Sequence, residues 1–256
     1  MPSYSERPDR GAPLATIVDV LAAAQKSSVG VSAYSRWVNR PMGRRIAALA
    51  FKAGLTPNQV TAISAAFTFS GIVVLALVPV SPWLGILVTC LLVIGYALDS
   101  ADGQLARLRG GGTLAGEWLD HVVDCVKVAT LHGAVLIGWY RFFPLPSQAF
   151  LLVPLAFAAE SSIFFFTLIL SEQLRRFATG NRSRADGGNN ATRTLQTLAV
   201  LPADYGVHCW IFILWGVTAV FIPLYSVLAA LNIALLLVGL GRWFRGVSRL
   251  TVARPS

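Results

Sequence analysis

The chain has 256 residues, 55% of them hydrophobic and only 13% charged, with a mean hydropathy of +0.63. A soluble domain carries about 25% charged residues, so the composition excludes an ordinary soluble domain and indicates a polytopic membrane protein. The net charge of +9 does not indicate nucleic acid, because the basic residues flank apolar stretches. Cys90, Cys125 and Cys209 lie inside apolar stretches without CxxC spacing. That speaks against disulfides and zinc-thiolate sites and for small buried residues.

Residues 1–30 are polar and mixed and read as mobile at the start. The apolar run at 12–24 is short, contains Asp19 and lacks the basic flank of a cleavable signal peptide. Residues 31–54 carry Arg36, Arg40, Arg44, Arg45 and Lys52 between apolar residues. This predicts an amphipathic helix lying on an anionic membrane face, broken or bent at Pro41. A helix packed on the bundle is the competing expectation. Thr56 then suits an N-cap, with Pro57 at the first helical position.

A membrane span needs about 20 apolar residues. Six are predicted, over 58–80, 82–103, 114–139, 148–171, 207–224 and 226–243. Ser81-Pro82, the prolines at 144 and 146, and Pro223 mark turns on one side. Gly110, Gly111 and Gly112 sit in the short loop 104–113 on the other, and 172–206 is the one long polar loop. Trp83, Trp139, Trp210 and Trp243 fall near span ends, as an interfacial belt requires. The expected fold is an all-α polytopic membrane bundle of six transmembrane helices with an N-terminal interfacial amphipathic helix. Residues 1–54 form a cytoplasmic N-terminal segment, 55–245 the transmembrane domain and 246–256 a cytoplasmic tail.

Nineteen of the lysines and arginines fall in segments on the N-terminal side of the membrane; only Arg141 falls in an opposite loop, and Lys127 lies within a span. The positive-inside bias therefore puts both termini in the cytoplasm.

Against this apolar background, Asp99, Asp102, Asp120 and Asp124 crowd into one window. Separations of three and four residues place each pair on one helical face. Intramembrane carboxylates are functional suspects, and four that converge repel unless cations hold them. Oxygen ligands of this kind suit Mg²⁺ or Mn²⁺. Two such ions about 3.5–4 Å apart serve in-line displacement at phosphorus. Gly103 and Gly116 allow close approach of a ligand to the backbone, and Arg107 suits phosphate.

The string Asp99-x2-Asp102-Gly103-x2-Ala106-Arg107-x8-Gly116-x3-Asp120-x3-Asp124 resembles the signature of the CDP-alcohol phosphotransferases (CDP-alcohol phosphatidyltransferases) at every defined position. The resemblance implies transfer of a substituted phosphate from a CDP-alcohol to an acceptor hydroxyl, with release of CMP, in phospholipid biosynthesis. It implies metal ligation by Asp99, Asp102 and Asp120, with Asp124 completing the site and acting as general base. Gly103, Ala106, Arg107 and Gly116 would line the CDP pocket. It also implies a homodimer. CDP-diacylglycerol is the expected donor, membrane lipids surround the site, and the active site lies on the cytoplasmic side of a cell membrane.

Residues outside the motif are open to more than one reading. His121 suits an acceptor-side role or a surface hydrogen bond. Lys127 faces the site or pairs with Glu160. Glu117 reads as a first-turn helix charge. Of the loop bases Arg175, Arg176, Arg182, Arg184 and Arg193, the one nearest the fifth span, Arg193, is the candidate for an anionic acceptor. Asp204-Tyr205-Gly206 contacts an acceptor or caps a helix. His132 and His208 read as core residues. The alternatives are transfer from a CDP-linked polar head group to a lipid or sugar alcohol and, outside the class, a metal-ion transporter. Transporters tend to repeat their halves, and these halves do not share the acids.

Overall fold

The structure, a computed structural model, describes residues 8–25, 31–179 and 201–250. The described residues are helices and their connections: α1 (Leu14–Ala23), α2 (Arg40–Lys52), α3 (Pro57–Leu77), α4 (Pro82–Leu108), α5 (Leu114–Phe142), α6 (Leu152–Thr179), α7 (Tyr205–Ile211) and α8 (Thr218–Ser248). The all-α polytopic bundle is as expected. Among the described residues, five helices are long and apolar enough to cross a membrane: α3, α4, α5, α6 with its preceding turn, and α8.

Six spans are expected, and among the described residues five such helices are found. The segment predicted as a fifth span is the short α7, followed by the tight turn Phe212–Leu214. It runs antiparallel to the first half of α4: Tyr205 packs on Tyr96, and the carbonyls of Phe212 and Ile213 lie against Gly85. The chain breaks at Gly216 and Val217, not at Pro223. A Cβ on Gly216 would lie 2.4 Å from the backbone of Pro82, so only glycine fits this crossing. Pro223 sits inside α8, early in the helix. There its missing N–H costs a single bond near the end, and the helix continues to Ser248. The predicted long loop also begins later, because α6 extends to Thr179. Arg182, Arg184 and Arg193 lie outside the described residues.

Of the N-terminal segment expected to be mobile at its start, residues 1–7 lie outside the described residues, while 14–23 form a packed helix. α1 buries Ile17 and Leu21 against Ala47, Ala48, Val60, Ala101 and Leu105. Before α2, residues Ser35–Asn39 wind as a π-turn, which leaves Pro41 in the first turn of the α-helix instead of breaking one. α2 packs on the bundle. A Cβ on Gly43 would sit 2.7 Å from Ser100 Oγ, and Gln104 donates to the Arg40 carbonyl at 3.1 Å.

α3 is wedged against both α4 and α5. Gly95 of α4 leaves room for Thr68, whose hydroxyl would be 2.2 Å from a Cβ there. Gly138 of α5 does the same for the Leu75 carbonyl. Thr61, Ser64 and Thr68 form the polar stripe of α3 toward α4, with Ser64 Oγ donating to the Gly95 carbonyl at 2.8 Å. Trp139 is a correction to the interfacial belt. It is fully buried in an aromatic core with Phe143, Phe221 and Tyr225. Trp243 packs on Phe164, while Trp83 and Trp210 are exposed.

The start of α3 matches its sequence signal. Thr56 Oγ1 accepts the Gln59 N–H at 3.3 Å, and the Gln59 side chain accepts the Thr56 N–H at 2.8 Å, which completes a capping box. Thr56→Ala is expected to lower stability by about 1 kcal/mol, read as a small drop in thermal midpoint of the detergent-solubilised protein.

Candidate active site

Two helix ends and a glycine turn build the site. α4 closes with Gly110 N–H on the Arg107 carbonyl and Gly111 N–H on that of Ala106. Gly110 and Gly111 adopt φ of 104° and 125°, where a side chain would be strained. Thr113 then caps α5, its Oγ1 accepting the Gly116 N–H at 3.0 Å. This short reversal sets the last three turns of α4 beside the first three of α5. The two helices pack mainly through α3, not on each other, so polar side chains meet between them.

Asp99 from α4 meets Asp120 and Asp124 from α5, with one carboxylate oxygen from each within 4.8 Å of the others. Three hard oxygen donors at that spacing fit a Mg²⁺- or Mn²⁺-sized ion. Asp102 stands apart from this trio. It is 5% exposed and accepts a 2.6 Å hydrogen bond from Thr61 Oγ1. Asp99 and Asp120 are acidic neighbours of it.

Lys127 decides between its two sequence readings in favour of the site. Only 3% exposed, it donates to Asp99 Oδ1 at 2.9 Å and to Asp124 Oδ1 at 2.5 Å. Its ammonium lies 5.5 Å from the Tyr205 ring centre. It thus bridges two of the three carboxylates and cancels part of their charge. Among the described residues Glu160 has no such cation, and it accepts from Ser161 Oγ.

Gly103 faces space that protein does not fill, since a Cβ there would meet only the Arg107 tip at 3.6 Å. Gly116 has a packing reason as well, because Asn58 and Thr113 leave a Cβ little room. Ala106 and Arg107 are half-buried, and the charged neighbours of Arg107 are Arg40 and Asp102. His121 lies at the helix surface, 3.8 Å from Glu117 and 4.0 Å from Asp120. Glu117 is more than a helix-end charge, since Arg176 of α6 donates to it and to Glu172.

A cavity of about 190 Å³ adjoins the cluster. Asp99, Asp124 and Lys127 line it, and so do Glu160, His208 and Asn232. His132 and His208 are buried as expected, with His132 Nδ1 2.7 Å from the Tyr225 hydroxyl, and both face this cavity.

Two residues of the site, Thr61 and Tyr96, carry no role in the sequence analysis, whereas Tyr205 is named there with Asp204 and Gly206 and lines the cavity. The small polar residues at 61, 64 and 68 of an apolar helix were the available signal for the first. Asp204 resolves as a cap. It accepts from Gly206 N–H, and also from the Tyr34 and Ser35 N–H groups at 3.0 and 3.2 Å, which ties the π-turn to α7. Burial pushes the Tyr34 hydroxyl above its ordinary range, so it stays protonated while accepting from Trp210.

Comparison with known proteins agrees with the motif. The CDP-alcohol phosphatidyltransferase family model matches residues 54–238. A phosphatidylinositol phosphate synthase of Corynebacterium glutamicum is 37% identical over 100 residues, covering 38% of this chain and 42% of the relative. One from Mycolicibacterium smegmatis is 31% identical over 150 residues, covering 57% and 60%. The matches thus span less than two thirds of these relatives. The crystal structure of the Mycobacterium tuberculosis phosphatidylinositol phosphate synthase with CDP-DAG bound aligns with a TM-score of 0.47 and 23% identity, over 78% of this chain and 92% of that one. The family model covers well over half of the sequence, and the chain belongs to the CDP-alcohol phosphatidyltransferase family.

Proposed function

We propose that this family member transfers a phosphatidyl group from CDP-diacylglycerol to the hydroxyl of an acceptor alcohol, releasing CMP at the cytoplasmic face of a cell membrane. The observation that carries the reading is the meeting of Asp99, Asp120 and Asp124 between two helix ends, beside the uncovered backbone of Gly103. The arginine and lysine bias supports the cytoplasmic placement. The name of the curated relatives, phosphatidylinositol phosphate synthase, supports a phosphatidyl donor.

The donor set fits divalent cations: Asp99, Asp120 and Asp124 would hold them, with Asp102 beside them on α4. Bound Mg²⁺ or Mn²⁺ would supply neutralisation of the donor's pyrophosphate and of the charge that develops at phosphorus. Asp124 borders the cavity and takes the proton of the incoming hydroxyl. The acceptor oxygen bonds to the phosphorus of the phosphatidyl group while the bond from that phosphorus to the CMP oxygen breaks. Arg107 and the Gly103 backbone receive the CDP moiety, with the guanidinium placed for phosphate oxygens. Lys127 holds Asp99 and Asp124 in place and keeps their charges apart.

Purified protein in lipid nanodiscs tests this with CDP-diacylglycerol and a panel of hydroxyl acceptors. CMP release is expected to require Mg²⁺ or Mn²⁺ and to fall to background in excess chelator. Undiminished release in chelator contradicts the metal assignment.

A further inference from the structure

The cavity beside the carboxylates has a hydrogen-bonding polarity of its own. Glu160 of α6 is 5% exposed and, among the described residues, accepts a single hydrogen bond, from Ser161 at 3.1 Å. A buried carboxylate without a cation is costly. Asn232 spends its amide nitrogen on the carbonyls of Pro202 and Leu228, both at 2.9 Å, so its Oδ1 remains an acceptor. His208 Nε2 lies 2.8 Å from the Pro202 carbonyl. A carbonyl only accepts, so Nε2 carries the proton, and Nδ1 of the neutral ring is left with a lone pair. Glu160, Asn232 and His208 therefore all contribute acceptors to this lining.

Lys127 is the only lysine or arginine among the described lining residues, and Asp99 and Asp124 already outweigh its charge. Nothing described in the cavity offers a phosphate a free cation. An ammonium group finds the Glu160 carboxylate and the acceptors of Asn232 and His208.

We infer that this cavity receives the acceptor and that the acceptor is an amino alcohol without a phosphate. Its hydroxyl lies toward Asp124 and its ammonium toward Glu160. The inference rests on the proposed transferase reading, and it separates this chain from enzymes whose acceptor carries a phosphate.

The test pairs binding with turnover on the full-length protein in nanodiscs with Mn²⁺, using ethanolamine and glycerol 3-phosphate as probes. Ethanolamine is expected to bind and to drive CMP release from CDP-diacylglycerol better than glycerol 3-phosphate does. Glu160→Gln is expected to raise its Kd and KM by about tenfold or more, with kcat, CDP-diacylglycerol binding and thermal midpoint little changed. Preferential use of glycerol 3-phosphate, no binding of ethanolamine, or an unchanged Kd in Glu160→Gln overturns the inference and leaves the transferase reading standing. Glu160-dependent binding of ethanolamine without CMP release from any acceptor upholds the cavity assignment and overturns the transferase reading.

Discussion

Asp124→Asn is expected to lower CMP release by about 10²–10⁴-fold, the loss typical of removing a positioned general base. The substitution keeps the shape of the side chain and leaves an amide oxygen to accept from Lys127, which now donates to Asp124 Oδ1. It removes the proton acceptor bordering the cavity and one negative charge from the trio with Asp99 and Asp120. The loss therefore belongs in kcat, with CDP-diacylglycerol binding retained and the fold intact by thermal midpoint. A fully active Asp124→Asn variant shows that the acceptor's proton goes elsewhere.

Lys127→Met is the second large effect. Lys127 is almost wholly buried, and both of its partners are more buried than exposed. Removing one member of a buried ion pair costs about 3–5 kcal/mol, because the charge left behind is uncompensated. Here two carboxylates lose the same cation, with Asp120 adjacent. The metal-free variant is expected to melt well below the parent. Saturating Mn²⁺ should recover part of the loss, since an ion bound only to the folded state stabilises it by mass action. Equal midpoints for variant and parent without metal contradict a charge-balancing role for Lys127.

The parts of the molecule that were legible in the sequence are those governed by short-range rules. Thr56-Pro57 and Gln59 make a capping box wherever a helix follows. Gly110-Gly111 turn the chain because they tolerate positive φ, and spacings of three and four put the aspartates on one face of α4 and of α5. Lys127 was visible as three residues from Asp124. Its second bond, to Asp99, depends on how α4 and α5 are set by α3, which no local pattern encodes. The same holds for Asp102, which is drawn to Thr61 of α3.

The errors share a physical cause. Pro223 is a strong breaker by itself, yet early in α8 it forfeits little, whereas Gly216 breaks the chain because the backbone of Pro82 crosses there. Trp139 has the sequence position of an interfacial residue and the packing of a core one, fixed by Phe143, Phe221 and Tyr225. α1 is a short apolar run without an evident partner until α2 offers the small residues Ala47 and Ala48 as a surface for Ile17 and Leu21.

A metal-dependent exchange at the phosphorus of a CDP-alcohol makes two products, and both can be followed in one reaction. Purified protein is incubated with CDP-diacylglycerol, a hydroxyl acceptor and Mg²⁺ or Mn²⁺, and CMP and the new phospholipid are quantified together by mass spectrometry. Equimolar CMP and phospholipid are expected, both absent in chelator. CMP formed without a new phospholipid, or neither product with any hydroxyl acceptor, contradicts such an exchange.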